Sequence, residues 1–396
     1  SQKKCEQEDA MGRFLNPGNE AFSEVIHSEI YVDKTPLLEY TNRVISTTSK
    51  FICSSRPRRF GKSITAEMLS AYYSKGSDSR ELFADYAIHK AESFEKHLNQ
   101  YDVIHFDVQW CMMDAGNADC VVEYINHGIL QELKEKYGEL IPDTVKTAYG
   151  AMSYIKAASG NKFVVIIDEW DVLIRDEAQN HKVQEEYIDF LRGMFKGSEP
   201  SKYIALAYLT GILPIKKLKT QSALNNFEEF TMLDAGRMAP YVGFTEEEVH
   251  DLCDRYGQIY EQVKLWYDGY SLEGYQVYNP KAVVSLMLNG KYKSYWSNTG
   301  SYEAIVPLIN MNFDGLRAAI IEMMSGAAVD VDVTSFQNDT VSFANRDDVL
   351  TYLIHLGYLA YDQDREQVFI PNEEIRHELN NAVKRNKWNE MITFQK

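Results

Sequence analysis

The stretch Lys50-Phe-Ile-Cys-Ser-Ser-Arg-Pro-Arg-Arg-Phe-Gly-Lys-Ser63 decides the fold. Phe51 to Ser55 are small or apolar without alternation, the pattern of a strand covered on both faces. Gly61 breaks the run, and a helix is expected from Lys62 through Tyr73. Strand, glycine turn and helix are the context in which a GxxxxGK[ST] loop holds phosphate. There, backbone N–H groups at a helix N-terminus surround the phosphate oxygens, the lysine adds a positive charge, and the hydroxyl binds Mg2+. Gly61, Lys62 and Ser63 fit the last three positions, whereas Arg56 stands where the first glycine would be. A side chain in the left-handed region costs about 1–2 kcal/mol, and Pro57 has no N–H to contribute. The loop is therefore expected to take an altered path, or to hold Arg56 under strain.

A second segment, Phe163-Val-Val-Ile-Ile-Asp-Glu-Trp-Asp171, reads as the other half of the same device. Acids at strand ends are often merely solvated. Two of them after so apolar a strand, downstream of Gly-Lys-Ser, agree with the loop on one chemistry. Asp168 is expected to hold the Mg2+ shell through water, and Glu169 to orient and deprotonate an attacking water. A glutamate directly after the aspartate points to the additional-strand class of P-loop proteins, in which a further strand separates the two motif strands. Tyr203-Ile-Ala-Leu-Ala-Tyr-Leu209 is the candidate for that strand. Thr210 would then lie between the motifs, either sensing the γ-phosphate or capping the turn before Gly211.

Around these segments the pattern is strands separated by helices, which implies a parallel sheet with covered faces. Asp102 to Val108 reads as a strand, and helices are expected near 120–137, 143–158 and 183–195. The N-terminal thirty residues read as an irregular arm with a turn at Asn16-Pro-Gly18. A short strand or entry segment at Ile30 to Lys34 and a helix from about Thr35 to Arg43 follow. Residues 1–235 thus form an α/β P-loop domain. Residues 236–345 read as a helical, aromatic-rich, lid-like domain, opened by a capping box at Thr245-Glu-Glu-Glu248. Residues 346–396 suggest helix, two strands, helix, a winged-helix-like module.

Three arginines, Arg56, Arg58 and Arg59, stand within one turn of Lys62. Guanidinium binds phosphate oxygens bidentately, so at least one is expected on nucleotide; the alternatives are solvent or pairing with Asp171 or Asp176. Arg175 and Arg237 are candidate arginine fingers, with a surface role as the alternative. His105 inside a strand reads as a core histidine rather than a ligand, and Trp266, Tyr267 and Tyr270 as a small satellite core.

Composition narrows the function classes. An apolar fraction of 45% over 396 residues supports a sizeable core and two or three domains. A formal charge of −17 disfavours non-specific nucleic-acid binding by the chain as a whole, because phosphate contacts supply most of that affinity. The cysteines (Cys5, Cys53, Cys111, Cys120, Cys253) form no CxxC pair, which argues against a disulfide framework or structural zinc and fits a reducing cytoplasm. Apolar runs such as Phe163 to Ile167 are too short to span a bilayer, and the start of the chain shows no signal-peptide core.

Several motifs occur in a fixed order: YVDKT (Tyr31 to Thr35), SRPRRFGKS (Ser55 to Ser63), IDEWD (Ile167 to Asp171), LTG (Leu209 to Gly211), LNNF (Leu224 to Phe227), GFTEEEV (Gly243 to Val249), WYDGY (Trp266 to Tyr270) and VYNP (Val277 to Pro280). In these the chain resembles the AAA-ATPase-like family of bacterial and some fungal proteins, over roughly residues 11 to 300. Arginine in place of the first loop glycine is that family's habit, and Trp170 stands where tyrosine is usual. The resemblance implies ATP and Mg2+ as ligands. The candidate nucleotide-binding residues are Arg56, Arg58, Arg59, Phe60, Gly61, Lys62 and Ser63, the candidate metal ligands Ser63 and Asp168, and the candidate catalytic residues Glu169, Lys62 and Thr210. Longer members resemble fusions to a PD-(D/E)XK nuclease domain. The residues after 300 show no strand-borne Asp followed by Glu-x-Lys, and Asp348 and Glu373 fall on helix starts, where capping and the helix dipole explain them; no nuclease activity is assigned. The expected function is Mg-dependent ATP binding and hydrolysis driving a switch. Its alternative is a regulatory module that binds nucleotide with negligible hydrolysis and engages a protein or nucleic-acid partner.

Overall fold

A computed structural model describes residues 12–177, 180–217, 224–296, 301–338 and 343–385. These residues group into two compact units. One comprises the described residues up to 54 together with 62–229, the other residues 55–61 together with those from 230 onward.

The first unit contains α1 (Glu20–Ile26), α2 (Pro36–Val44), β1 (Phe51–Ser55, whose last residue groups with the other unit), α3 (Lys62–Tyr73), α4 (Phe94–His97), β2 (Asp102–Asp107), α5 (Val108–Ala115), α6 (Val121–Tyr137), α7 (Ala148–Ser159), β3 (Phe163–Asp168), α8 (Val172–Asp176), α9 (His181–Phe195), α10 (Ser198–Tyr203) and β4 (Ile204–Gly211). With β5 (Glu228–Phe230) at one edge, the sheet order is β2-β3-β4-β1-β5. β4 is thus inserted between the strands bearing the two motifs, the additional-strand arrangement. All of β3 and β4 is buried. That is why both read as continuous apolar runs rather than alternating ones. β2, β3 and β4 run parallel, with Asp107 opposite Asp168 and Asp168 opposite Thr210. Asp107 and Asp168 end their strands in a row with Thr210, one residue before the end of β4, at the carboxyl edge where open α/β sheets bind ligands.

The N-terminal arm is more ordered than its composition suggests. Asn16 donates to Asp102 Oδ1 at 2.9 Å and accepts the Val103 N–H at 2.7 Å, while Leu15 bridges to Ile104. Asp102 itself is buried and also takes Tyr137 Oη at 2.5 Å and Lys136 Nζ at 3.0 Å. α1 forms within the arm because Phe22 can be fully buried, stacked on Phe83. Ile30 to Lys34 carry no strand.

The second unit holds α11 (Glu246–Tyr256), α12 (Tyr260–Tyr267), α13 (Pro280–Asn289), α14 (Ser301–Ile309), α15 (Leu316–Met324), α16 (Arg346–Leu356) and α17 (Glu373–Arg385). β6 (Phe244–Thr245), β7 (Tyr270–Leu272) and β8 (Tyr275–Tyr278) form an antiparallel sheet in the order β6-β8-β7. β9 (Val329–Asp330), β10 (Ala360–Asp362) and β11 (Gln367–Phe369) form another in the order β10-β11-β9. The last sheet thus recruits β9 from before residue 346. The capping box at the start of α11 is present, Thr245 Oγ1 accepting the Glu248 N–H while the Glu248 carboxylate accepts the Thr245 N–H. Tyr267 and Tyr270 are buried, and Trp266 stacks on His377 at 5.1 Å. Part of the aromatic stretch from Tyr295, residues 297–300, lies outside the described residues, as do 386–396.

The segment 55–61 packs as part of this second unit. Phe60 is 1% exposed and lies edge-on to Tyr270 at 5.5 Å. Pro57 sits so close to Gly357 that a Cβ there would meet it at 2.7 Å; Gly357 also has φ +88°, so glycine is required twice over. Tyr270 Oη donates to the Gly357 carbonyl.

Candidate functional site

β3 delivers Asp168 to the row of strand ends, and α3 begins with Lys62 and Ser63. Ser63 Oγ donates to Asp168 Oδ2 at 2.6 Å. A hydroxyl and a carboxylate this close are the two protein groups that a P-loop offers to Mg2+. Among the described residues no cluster of three or more His, Cys, Asp or Glu side chains could hold a metal unaided. Mg2+ keeps several waters and takes one or two carboxylates plus substrate phosphates, a demand that the Ser63 hydroxyl and the Asp168 carboxylate meet. The residues present therefore fit the ion.

Lys62 is buried, and burial pushes its amine down to about 8 against the opposing pull of Glu169, Asp171 and Asp168. Burial likewise raises the Asp168 carboxyl, countered by the Ser63 hydrogen bond and Lys62. It raises Glu169 too, countered by Lys62 and Arg175. The site is a desolvated set of charges in which burial favours the neutral forms and the opposite charges of neighbours oppose it.

Glu169 follows Asp168 with φ +51°, a left-handed backbone that a side-chain-bearing residue adopts rarely, and its N–H is held by Asp168 Oδ1 at 2.9 Å. The turn directs the glutamate away from the strand axis towards Arg175. Arg175 Nη2 reaches Glu169 Oε2 at 2.7 Å, and its Nε reaches Asp171 Oδ2 at 3.0 Å. Asp171, wholly buried, also accepts the N–H groups of Ile212 at 3.0 Å and Leu213 at 2.7 Å. Thr210, 1% exposed, accepts the Trp170 N–H at its carbonyl, 3.1 Å away. Lys62, Ser63, Asp168, Glu169 and Thr210 are thus all brought to the end of one sheet.

The loop before α3 turns at Arg59 (φ +70°) and Gly61 (φ +84°), and Arg56 has no positive φ. This is the altered path. Pro57 drives its predecessor towards extended backbone, so the turn shifts downstream. Arg56 is fully buried, its guanidinium donating to the carbonyls of Ser55 at 3.0 Å and Met238 at 3.4 Å. Arg58 is exposed, Arg59 half-buried and Phe60 buried against the aromatic core of its own unit. The cation on Asp171 is Arg175 rather than a loop arginine. Arg175, with a side chain 5% exposed and both arms engaged by its own chain, has the setting of an internal support rather than of a finger offered outward. Arg237 is exposed in a short turn at Gly236–Met238.

Beside Ser63 and Asp168 lies a cavity of about 320 Å3, also lined by Glu67, His105, Asp107 and Trp110. Burial pushes His105 down to about 4, leaving it neutral at physiological pH. Burial first and Asp168 second push Asp107 up to about 6, although its carboxylate caps α5 through the N–H groups of Gln109 and Trp110. Asp107 and the Arg175 bridge escaped the sequence reading. The spacing of Asp171 and Arg175, four apart on a short helix, is the one local signal that could have found the bridge.

Comparison with known proteins adds a family. The sequence model of a family described as predicted AAA-ATPase matches residues 17–220. A protein of Azotobacter chroococcum mcd 1, described as an uncharacterized protein in the vnfD 5' region, is 25% identical over 373 residues, covering 89% of this chain and 66% of its own length. The chain therefore spans slightly under two thirds of that relative. Among solved structures, the Aeropyrum pernix ORC2 protein in ADPNP–ADP complexes aligns over 93% of this chain and 98% of its own, at 11% identity and a TM-score of 0.39. AMPPCP-bound DnaA from Aquifex aeolicus aligns over 92% of each chain at 9% identity and a TM-score of 0.30. Likeness at those scores is too distant to establish a shared fold.

Proposed function

Because the chain belongs to the predicted AAA-ATPase family, we propose that it binds ATP with Mg2+ at the carboxyl edge of its five-stranded sheet and hydrolyses the γ-phosphate. The observation that carries this reading is the 2.6 Å hydrogen bond from Ser63 Oγ to Asp168 Oδ2, with buried Lys62 beside it. In this reading the N–H groups leading into α3 and the Lys62 amine hold the β- and γ-phosphates. Ser63 and, through water, Asp168 hold the ion, which when bound screens the phosphate charge. Glu169 takes the proton of the attacking water, and the Thr210 hydroxyl hydrogen-bonds the γ-phosphate or that water. Arg58 and Arg59 are the loop arginines left to meet phosphate, because the Arg56 guanidinium is directed at carbonyls.

A second reading has its own support. Glu169 Oε2 is already occupied by Arg175, which favours a regulatory module that holds nucleotide with little turnover and signals to a protein or nucleic-acid partner. Two measurements separate the readings. ATP with Mg2+ is expected to raise the melting temperature by mass action, and Lys62→Ala to abolish the rise; an unshifted wild type rejects nucleotide binding altogether. Phosphate release is expected from the wild type and to fall at least about 100-fold in Glu169→Gln, which keeps ATP binding. A wild type that binds but releases no phosphate selects the second reading.

A further inference from the structure

We propose that Arg175 is the positioning residue of Glu169, a role that rests on the hydrolytic reading above. The hydrogen bonds form a continuous chain. The N–H groups of Ile212 and Leu213, just past Thr210 on β4, hold Asp171 Oδ2 at 3.0 and 2.7 Å. The same oxygen receives Arg175 Nε at 3.0 Å, and Arg175 Nη2 holds Glu169 Oε2 at 2.7 Å. Guanidinium is planar, and its donors have a fixed spread, so an arm set by Asp171 sets the other arm as well. The orientation of the Glu169 carboxylate is thereby referred to the end of β4, the strand that carries Thr210.

The arrangement leaves the glutamate usable. Only Oε2 is engaged; Oε1 has no protein partner among the described residues, and the side chain is 25% exposed. In hydrolysis a water oxygen bonds to the γ-phosphorus, the bond from that phosphorus to the bridging oxygen breaks, and ADP carries away the electron pair. The proton lost by the water goes to Oε1. A carboxylate with one oxygen clamped and the other open to water is held near the geometry that such a transfer needs. Packing points to the same design. Gly211 permits Asp171 its position, since a Cβ there would stand 2.4 Å from Asp171 Oδ1 and 2.8 Å from Trp170 Cδ1.

The test is steady-state ATP hydrolysis and equilibrium binding of a fluorescent ATP analogue for wild type, Arg175→Gln, Arg175→Lys, Glu169→Gln and the Glu169→Gln/Arg175→Gln double variant. Arg175→Gln is expected to lower kcat about 10- to 100-fold while Kd for the analogue stays within about 3-fold. Arg175→Lys, which keeps the charge but reaches one carboxylate at a time, is expected to restore folding and part of kcat. In the Glu169→Gln background, loss of Arg175 is expected to cost nothing further, because residues that act as a unit are not additive. An unchanged kcat in Arg175→Lys and Arg175→Gln overturns the proposal, as does an equal further loss in the Glu169→Gln background or a parallel collapse of Kd. If Arg175→Gln does not fold, Arg175→Lys decides by the same split between kcat and Kd. A wild type without phosphate release overturns the hydrolytic reading, and this proposal with it. Normal wild-type turnover with indifferent Arg175 variants overturns the proposal alone.

Discussion

At the scale of single residues, burial pushes the charges of the candidate site towards their neutral forms, and the opposite charges beside them oppose that shift. Lys62, Asp168 and Glu169 are each disfavoured as ions by burial and rescued by their neighbours. Asp107 is the member with least rescue. Its carboxyl is raised to about 6 from the ordinary 3.8, so the folded state binds the proton more tightly than the unfolded chain. The group therefore costs stability above pH 6, and the cost disappears as pH falls through 6 towards 4. Asp107→Asn keeps an acceptor for the Gln109 and Trp110 N–H groups and removes the charge. It is expected to stabilise the protein at pH 7.5 by about 1–2 kcal/mol, once solvent screening of a half-buried group is allowed for. At pH 4.5 the gain should shrink to roughly a third, and it vanishes only once pH falls below the unfolded value of 3.8. Urea melts at the two pH values check this, and equal gains at both would refute the electrostatic cause. Of the site's residues, Lys62, Ser63, Asp168, Glu169 and Thr210 are legible in the sequence because each sits beside a local mark, the glycine turn or the end of an apolar strand. The bridging role of Arg175 is not, because Asp171, which holds one of its arms, is itself fixed by the N–H groups of Ile212 and Leu213 at the end of β4.

At the scale of elements, local chemistry predicts most starts and stops. α11 begins at its capping box and ends at Gly257, whose φ is +68°. Thr245→Ala removes the acceptor for the Glu248 N–H and is expected to cost about 1 kcal/mol. A fall of a few degrees in melting temperature measures it; no change would mean that packing of Val249, Leu252 and Cys253 alone sets the helix start. The arm shows the converse. A turn-rich stretch reads as irregular, yet α1 forms there because tertiary partners bury Phe22. Helices this short draw their stability from packing rather than from propensity. β9, two residues long, has too little pattern to announce itself; it exists because β11 offers an edge.

At the scale of the molecule, residues 55–61 group with those from 230 onward although chain order places them between β1 and α3. The second unit therefore needs this segment for its own core, through Phe60 on Tyr270 and Pro57 on Gly357. Residues 230–396 prepared alone are expected to bind a hydrophobic dye and to melt without cooperativity, since loss of a buried phenylalanine costs about 3–5 kcal/mol. A cooperative melt with a native near-ultraviolet spectrum would refute this. The sequence by itself determined the β1–loop–α3 unit, the acid-tipped strand β3 and the alternation that makes a parallel sheet, because apolar periodicity, glycine turns and strand-end acids are local properties. Only the tertiary structure decided that the loop turns at Arg59, that its residues belong to the second unit's core, and that Glu169 is tied through Arg175 and Asp171 to Ile212 and Leu213, which lie 41 and 42 positions beyond Asp171 in the chain. Those outcomes depend on which buried donor ends beside which buried carboxylate, and that is settled only when strands distant in sequence become neighbours in the sheet.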